Sequence, residues 1–92
     1  MRRAAKVDAN HAEIVYALLA VGCTVRSLAP LGKGAPDILV GVRGRNLLFE
    51  IKDGAKVPSA RKLSPDETAF HAGWRGQVAI VESVDQALEA IK

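Results

Sequence analysis

Gly34-Ala35-Pro36-Asp37-Ile38-Leu39-Val40-Gly41-Val42-Arg43-Gly44-Arg45-Asn46-Leu47-Leu48-Phe49-Glu50-Ile51-Lys52-Asp53 contains two nearly continuous apolar runs, Ile38 to Val42 and Leu47 to Ile51. Runs of this length, bounded by Gly and Pro and rich in Val, Ile and Phe, read as strands covered on both faces. The short connection Arg43-Gly44-Arg45-Asn46 makes them a hairpin. Two charges, Glu50 and Lys52, stand where a covered strand has none, and Asp37 follows Pro36 at the mouth of the first strand. Period-2 geometry puts Glu50 and Lys52 on one face and Ile51 on the other. With Gly44-Arg45 as a two-residue type II′ loop, Arg43 pairs with Asn46 and Asp37 faces Lys52. Glu50 is then a diagonal neighbour of Asp37, about 7 to 8 Å away at Cα. Carboxylates at that separation can close on one hard divalent cation, which takes one or two carboxylates plus water and phosphate oxygen. An adjacent ammonium would orient a water or stabilise phosphate charge. The alternative on spacing alone is an edge-strand ion pair with Asp37 as a turn residue.

Pro36-Asp37 followed a hairpin later by Glu50-Ile51-Lys52 resembles the pattern of the PD-(D/E)XK nucleases. The wider wording, Gly34 to Gly41 and then Phe49-Glu50-Ile51-Lys52-Asp53-Gly54 with Leu63-Ser64-Pro65-Asp66-Glu67 downstream, is similar to the VRR-NUC family, in particular its stand-alone, phage-type members. The resemblance runs from about Glu13 to Gly76. It implies a Mg²⁺- or Mn²⁺-dependent endonuclease acting on DNA. Asp37 and Glu50 would be metal ligands, with the Ile51 backbone carbonyl as a third. Glu13 would add a direct or water-bridged contact, and Lys52 would position the attacking water. Products would carry a 5′-phosphate and a 3′-hydroxyl. Stand-alone members resemble Holliday junction resolvases, so the implied substrate is a four-way junction and the implied assembly a homodimer. The alternatives are a flap- or nick-specific or loosely specific nuclease, and an inert DNA-binding protein.

At 92 residues the chain reads as one domain, residues 1–92, with 1–7 a flexible basic arm. A chain of this size buries roughly 60 to 65% of its unfolded surface. The net charge of +3 suits acidic partners but does not demand them. A single cysteine, Cys23, excludes an intramolecular disulfide and fits a reducing, intracellular and cytoplasmic setting, packed as a small apolar side chain. No apolar run reaches membrane-spanning length, and Met1-Arg2-Arg3 leads into no signal-type core.

Asp8 or Asn10 can cap a first helix that runs to Val21 and ends at Gly22. Its core stripe is Ile14, Ala17, Leu18 and Val21, widened by Val15 and Leu19. Glu13 lies in its first turn, where an acid also suits the helix dipole. Thr24 to Leu28 is a short strand, followed by a loop from Ala29 to Gly34. Ser64-Pro65-Asp66-Glu67 opens a second helix with a capping box, running to about Trp74 with Phe70 and Trp74 facing the core. Glu67 stands where the resembled family usually has glutamine, so it is read here as a cap alone. Gln77 to Val81 is a buried strand, and Ser83 caps a last helix from Val84 to Ile91. The expected class is α/β in the order αβββαβα: a mixed four-stranded sheet flanked by helices, matching the restriction-endonuclease-like core the resemblance implies. Lys33, Lys56, Arg61 and Lys62 in loops, and Arg2, Arg3 and Lys6 in the arm, are candidate phosphate contacts or plain solvated charges.

Overall fold

A computed structural model describes residues 8–92. Arg2, Arg3, Lys6 and the arm they define lie outside the described residues. The elements are α1 (His11–Ala20), β1 (Thr24–Ser27), β2 (Ile38–Val42), β3 (Arg45–Ile51), α2 (Pro65–Gly73), β4 (Val78–Val81) and α3 (Val84–Ala90), with 3₁₀ turns at Ala29–Leu31 and Pro58–Arg61. The sheet order is β1-β2-β3-β4. The first three strands form an antiparallel meander, and β4 returns through α2 to pair with β3 in parallel. This is the α/β order and mixed sheet expected from the sequence.

One face of the sheet carries the core. Ile38, Val40, Leu47, Phe49, Ile51 and Val81 interdigitate with Ile14 and Leu18 of α1 and with Ala87 and Ile91 at α3. Full burial of side chains such as Phe49 or Ile14 contributes about 1.5 to 3 kcal/mol each. Cys23 is buried in the same cluster, as a small apolar group. The α1 stripe is narrower than its sequence pattern: Ile14 and Leu18 are fully buried and Val15 packs partly against the core, while Leu19 and Val21 are exposed. Ile80 on β4 and Trp74 at the end of α2 are also exposed, against the expectation of a covered strand and a core-facing tryptophan. Trp74 instead stacks on Phe70, ring centroids 5.0 Å apart, on α2, a helix with no buried residue. Among the described residues no helix is long and apolar enough to cross a membrane.

The hairpin turn differs by one residue from the expected one, with a consequence for the site. The loop is Arg43-Gly44, with Val42 opposite Arg45, and both loop residues have positive φ (47° and 76°), as a type I′ turn requires. Holding an arginine in the left-handed region costs about 1 to 2 kcal/mol. That cost is offset locally, since the Arg43 guanidinium donates to the Ile91 carbonyl and Arg45 Nη2 donates to the same oxygen at 2.6 Å. Two cations thus close the C-terminus of α3, where the helix dipole favours them. A turn moved by one residue moves the pairing by two, so every side chain keeps its face while its cross-strand partner changes. Ile38 lies opposite Phe49, and extending the ladder by one residue sets Asp37 beside Glu50 rather than Lys52.

Asn10 occupies the N-cap position of α1 but its side chain caps nothing. Its amide nitrogen donates instead to the carbonyls of Lys52 and Glu82, each at 3.1 Å, pinning the adjacent ends of β3 and β4 to the helix. Asn10→Ala should therefore cost about 1 to 3 kcal/mol, read as a lowered denaturation midpoint, since two partly buried carbonyls lose their donor.

Candidate active site

Asp37 is placed by Pro36, whose lack of an N–H ends the β2 ladder. The Asp37 backbone stays in the sheet, its N–H donating to Phe49 O at 3.0 Å and its carbonyl accepting from Leu28 N at 2.9 Å. Beyond that point the carboxylate takes over for the missing strand: Oδ2 accepts the Ile51 N–H at 2.6 Å. One carboxylate oxygen is thereby committed to the backbone and the other is left to face Glu50.

Glu50 is 2% exposed, and its Oε1 is buried without a hydrogen-bond partner. Burial pushes its carboxyl up to about 9, and the neighbouring Asp37 and Glu67 carboxylates push the same way, against the opposing pull of Lys52. A carboxyl group kept from ionising by two other acids is a position that a multivalent cation would relieve.

Lys52 follows β3 directly, its N–H donating to Val81 O at 3.0 Å and its carbonyl held by Asn10. Its ammonium lies 3.8 Å from Glu50 Oε2 and 3.0 Å from Glu67 Oε1. Burial alone would lower the Lys52 pKa, but the hydrogen bond and charge of Glu67, with Glu50 behind them, raise it. The period-2 expectation thus holds: Glu50 and Lys52 share a face, and Ile51 lies in the core on the other.

Glu67 forms the expected capping box, with Ser64 Oγ accepting from Glu67 N at 3.1 Å and Glu67 Oε1 accepting from Ser64 N at 2.8 Å. The same oxygen receives Lys52 Nζ. Burial would raise the Glu67 pKa, yet the Ser64 N–H and Lys52 together hold it below the usual carboxylate range. The sequence reading as a cap alone missed this second partner. The available signal was the box itself, since a reciprocal cap fixes the side chain toward the N-terminus of its helix.

The helix reaches the site because Gly34 lets it. Gly34 has φ 80°, and a methyl group there would meet the Glu67 nitrogen at 2.7 Å and the Asp66 carbonyl closer still. Gly34→Ala should cost about 2 kcal/mol or more in unfolding free energy, by backbone strain and by forcing α2 away from the loop.

Glu13 does not join this group. It is exposed on α1, its side chain makes no hydrogen bond or ion pair among the described residues, and the charges that act on Glu50 are Asp37, Glu67 and Lys52. Its first-turn position on α1 suits the helix dipole. Among the described residues no set of three or more His, Cys, Asp or Glu side chains is spaced to hold a metal. Of the candidate phosphate contacts, Lys56 pairs with Asp8 at 3.6 Å and Arg61 with Glu82 at 3.1 Å. Lys33 and Lys62 are exposed and make no ion pair among the described residues.

A solved structure described as a VRR_NUC domain superposes on 91% of this chain and 96% of its own, with a TM-score of 0.66 and 28% sequence identity. The chain has the fold of a VRR-NUC domain. No family model matches the sequence, and neither does any curated protein. The VRR-NUC likeness is to a PD-(D/E)XK-like nuclease domain, and Asp37, Glu50 and Lys52 are the positions of this chain that carry that motif's residue types.

Proposed function

We propose that residues 1–92 act as a single nuclease domain, a divalent-metal-dependent endodeoxyribonuclease that resolves four-way DNA junctions as a homodimer. The observation that carries this reading is the convergence of Asp37, Glu50 and Lys52 on one side of the sheet, with Glu50 Oε1 buried and unpartnered. That donor set fits Mg²⁺ or Mn²⁺: two carboxylates with one oxygen each uncommitted, and the Ile51 carbonyl as a backbone candidate. A bound cation would supply Lewis-acid polarisation of the scissile phosphate and a more acidic water.

The chain's own groups do the rest. Lys52 Nζ donates to the attacking water or to a phosphate oxygen and offsets the charge that builds there. The water oxygen bonds to phosphorus and releases a proton to solvent while the bond to the 3′ oxygen breaks and that oxygen takes up a proton from solvent. That oxygen leaves as the 3′-hydroxyl, and the phosphate stays on the 5′ side. Lys33, between Gly32 and Gly34 that line the Asp37–Glu67 mouth, and Lys62, two residues before Ser64 of the same lining, are exposed and contact flanking phosphates in this reading. Lys56 and Arg61 serve the fold through Asp8 and Glu82.

The test uses labelled four-way, flap and linear duplex DNA with Mg²⁺, Mn²⁺ or chelator. Paired symmetric nicks across the junction, lost with chelator, are the expected products. Flap trimming or scattered nicking would replace the junction assignment, and salt-dependent binding without products would replace the catalytic one. Size-exclusion chromatography at working concentration checks the dimer.

A further inference from the structure

We infer that Glu67 is a positioning residue for Lys52, using the N-cap of α2 as a fixed mount that aims the ammonium across the Asp37–Glu50 pair. The inference rests on the nuclease reading above and extends it to a residue that reading does not require. A capping-box glutamate ordinarily has one task, accepting the N-cap N–H at the edge of solvent. Here the same Oε1 accepts from Ser64 N at 2.8 Å and from Lys52 Nζ at 3.0 Å, and the Glu67 side chain is only 20% exposed.

Each element around that oxygen is built to hold it still. Pro65 at the start of α2 and the Ser64 Oγ bond to Glu67 N fix the first turn. Gly34, without a side chain, lets the loop before β2 lie against Asp66 and Glu67. Lys52 itself is tethered at both backbone ends, to Val81 and to Asn10. A lysine side chain has four rotatable bonds, and an ammonium free to choose would settle on the nearest buried anion. It stands closer to Glu67 Oε1 (3.0 Å) than to Glu50 Oε2 (3.8 Å), so Glu67 is its hydrogen-bond partner, and Glu50 Oε1 has none.

The experiment is a set of variants measured for thermal midpoint, DNA Kd and single-turnover cleavage of the junction. Glu67→Ala should lower the cleavage rate by about tenfold or more, with DNA Kd within about twofold, because a mobile ammonium loses orientation rather than charge. Glu67→Gln should recover most of the rate, since its carboxamide oxygen accepts both N–H groups. Ser64→Ala removes the Oγ bond that fixes the first turn but keeps the backbone N–H and the Glu67–Lys52 bond, so it should lower the thermal midpoint about as much as Glu67→Ala while slowing cleavage clearly less than Glu67→Ala does. On a Lys52→Ala background, Glu67→Ala should cause no further loss of rate.

Positioning is overturned by a Glu67→Ala that cuts at the parent rate, by a Ser64→Ala that loses as much activity as Glu67→Ala, or by an added loss in the double variant. Each of these leaves the nuclease reading standing. A parent that does not cut, or a Lys52→Ala that cuts as well as the parent, overturns the nuclease reading and this inference with it.

Discussion

Lys52→Ala lowers strand cleavage by about 10²- to 10³-fold, the usual cost of removing one donor aimed at developing charge, and leaves folding and DNA binding close to the parent. The expected separation follows from what the side chain touches. Its ammonium contacts Glu67 and Glu50, while the fold at that position is carried by the Lys52 backbone, bonded to Val81 and Asn10. Truncation leaves those backbone bonds in place. It also leaves Glu50 and Glu67 without the ammonium they share, so a modest loss of stability accompanies the loss of rate. Single-turnover cleavage and Kd on the same junction separate the two effects. A variant that cuts at the parent rate would remove Lys52 from the chemistry.

The second large effect is at Glu50. Glu50→Gln should abolish cleavage, by about 10³-fold, through loss of a metal carboxylate, and should stabilise the metal-free protein at neutral and alkaline pH. The sign follows from the direction of its shift. In the folded chain Glu50 ionises at about 9, above the ordinary 4.5. Below the ordinary value both folded and unfolded chains hold the proton, and the group contributes no pH dependence. As pH rises from there toward 9, the unfolded chain releases its proton while the folded chain keeps it, so stability falls, by on the order of 1 kcal/mol per pH unit. Glutamine carries no such proton, so the variant should be the more stable of the two across that window and their denaturation midpoints should converge at low pH. Cation binding must displace the same proton. Mn²⁺ should therefore stabilise the parent more strongly as pH rises toward 9, and Glu50→Gln should show no such gain.

The hairpin, the helix caps at Ser64 and Ser83 and the sheet order could be read from the chain because each rests on local chemistry. Gly and Pro bound the two apolar runs, Ser64 and Ser83 stand at helix starts, and the period-2 pattern alone puts Glu50 and Lys52 on one face. What could not be read depended on distant partners. The turn was placed one residue late because a leading glycine favours type II′, whereas here Arg43 is held in the left-handed region by Ile91, 48 residues away. Asn10 looked like a cap until Lys52 and Glu82 gave its amide better acceptors. Trp74 and Ile80 looked like core by type, yet α2 buries none of its residues and β4 is an edge. Glu13 carried the right charge in the right turn but faces solvent. Glu67 was legible as a cap and not as a partner of Lys52, because the Gly34 contact that brings α2 to the site has no signature beyond a glycine.

The central claim is that Asp37 and Glu50 hold a divalent cation beside Lys52, and anomalous diffraction from crystals soaked in Mn²⁺ near pH 8 tests it most directly. The expected result is a single strong peak between the Asp37 and Glu50 carboxylates, roughly 2.0 to 2.3 Å from an oxygen of each, that disappears in Glu50→Gln. A parent map with no peak between those oxygens at saturating Mn²⁺, or a peak that persists unchanged in Glu50→Gln, would contradict it.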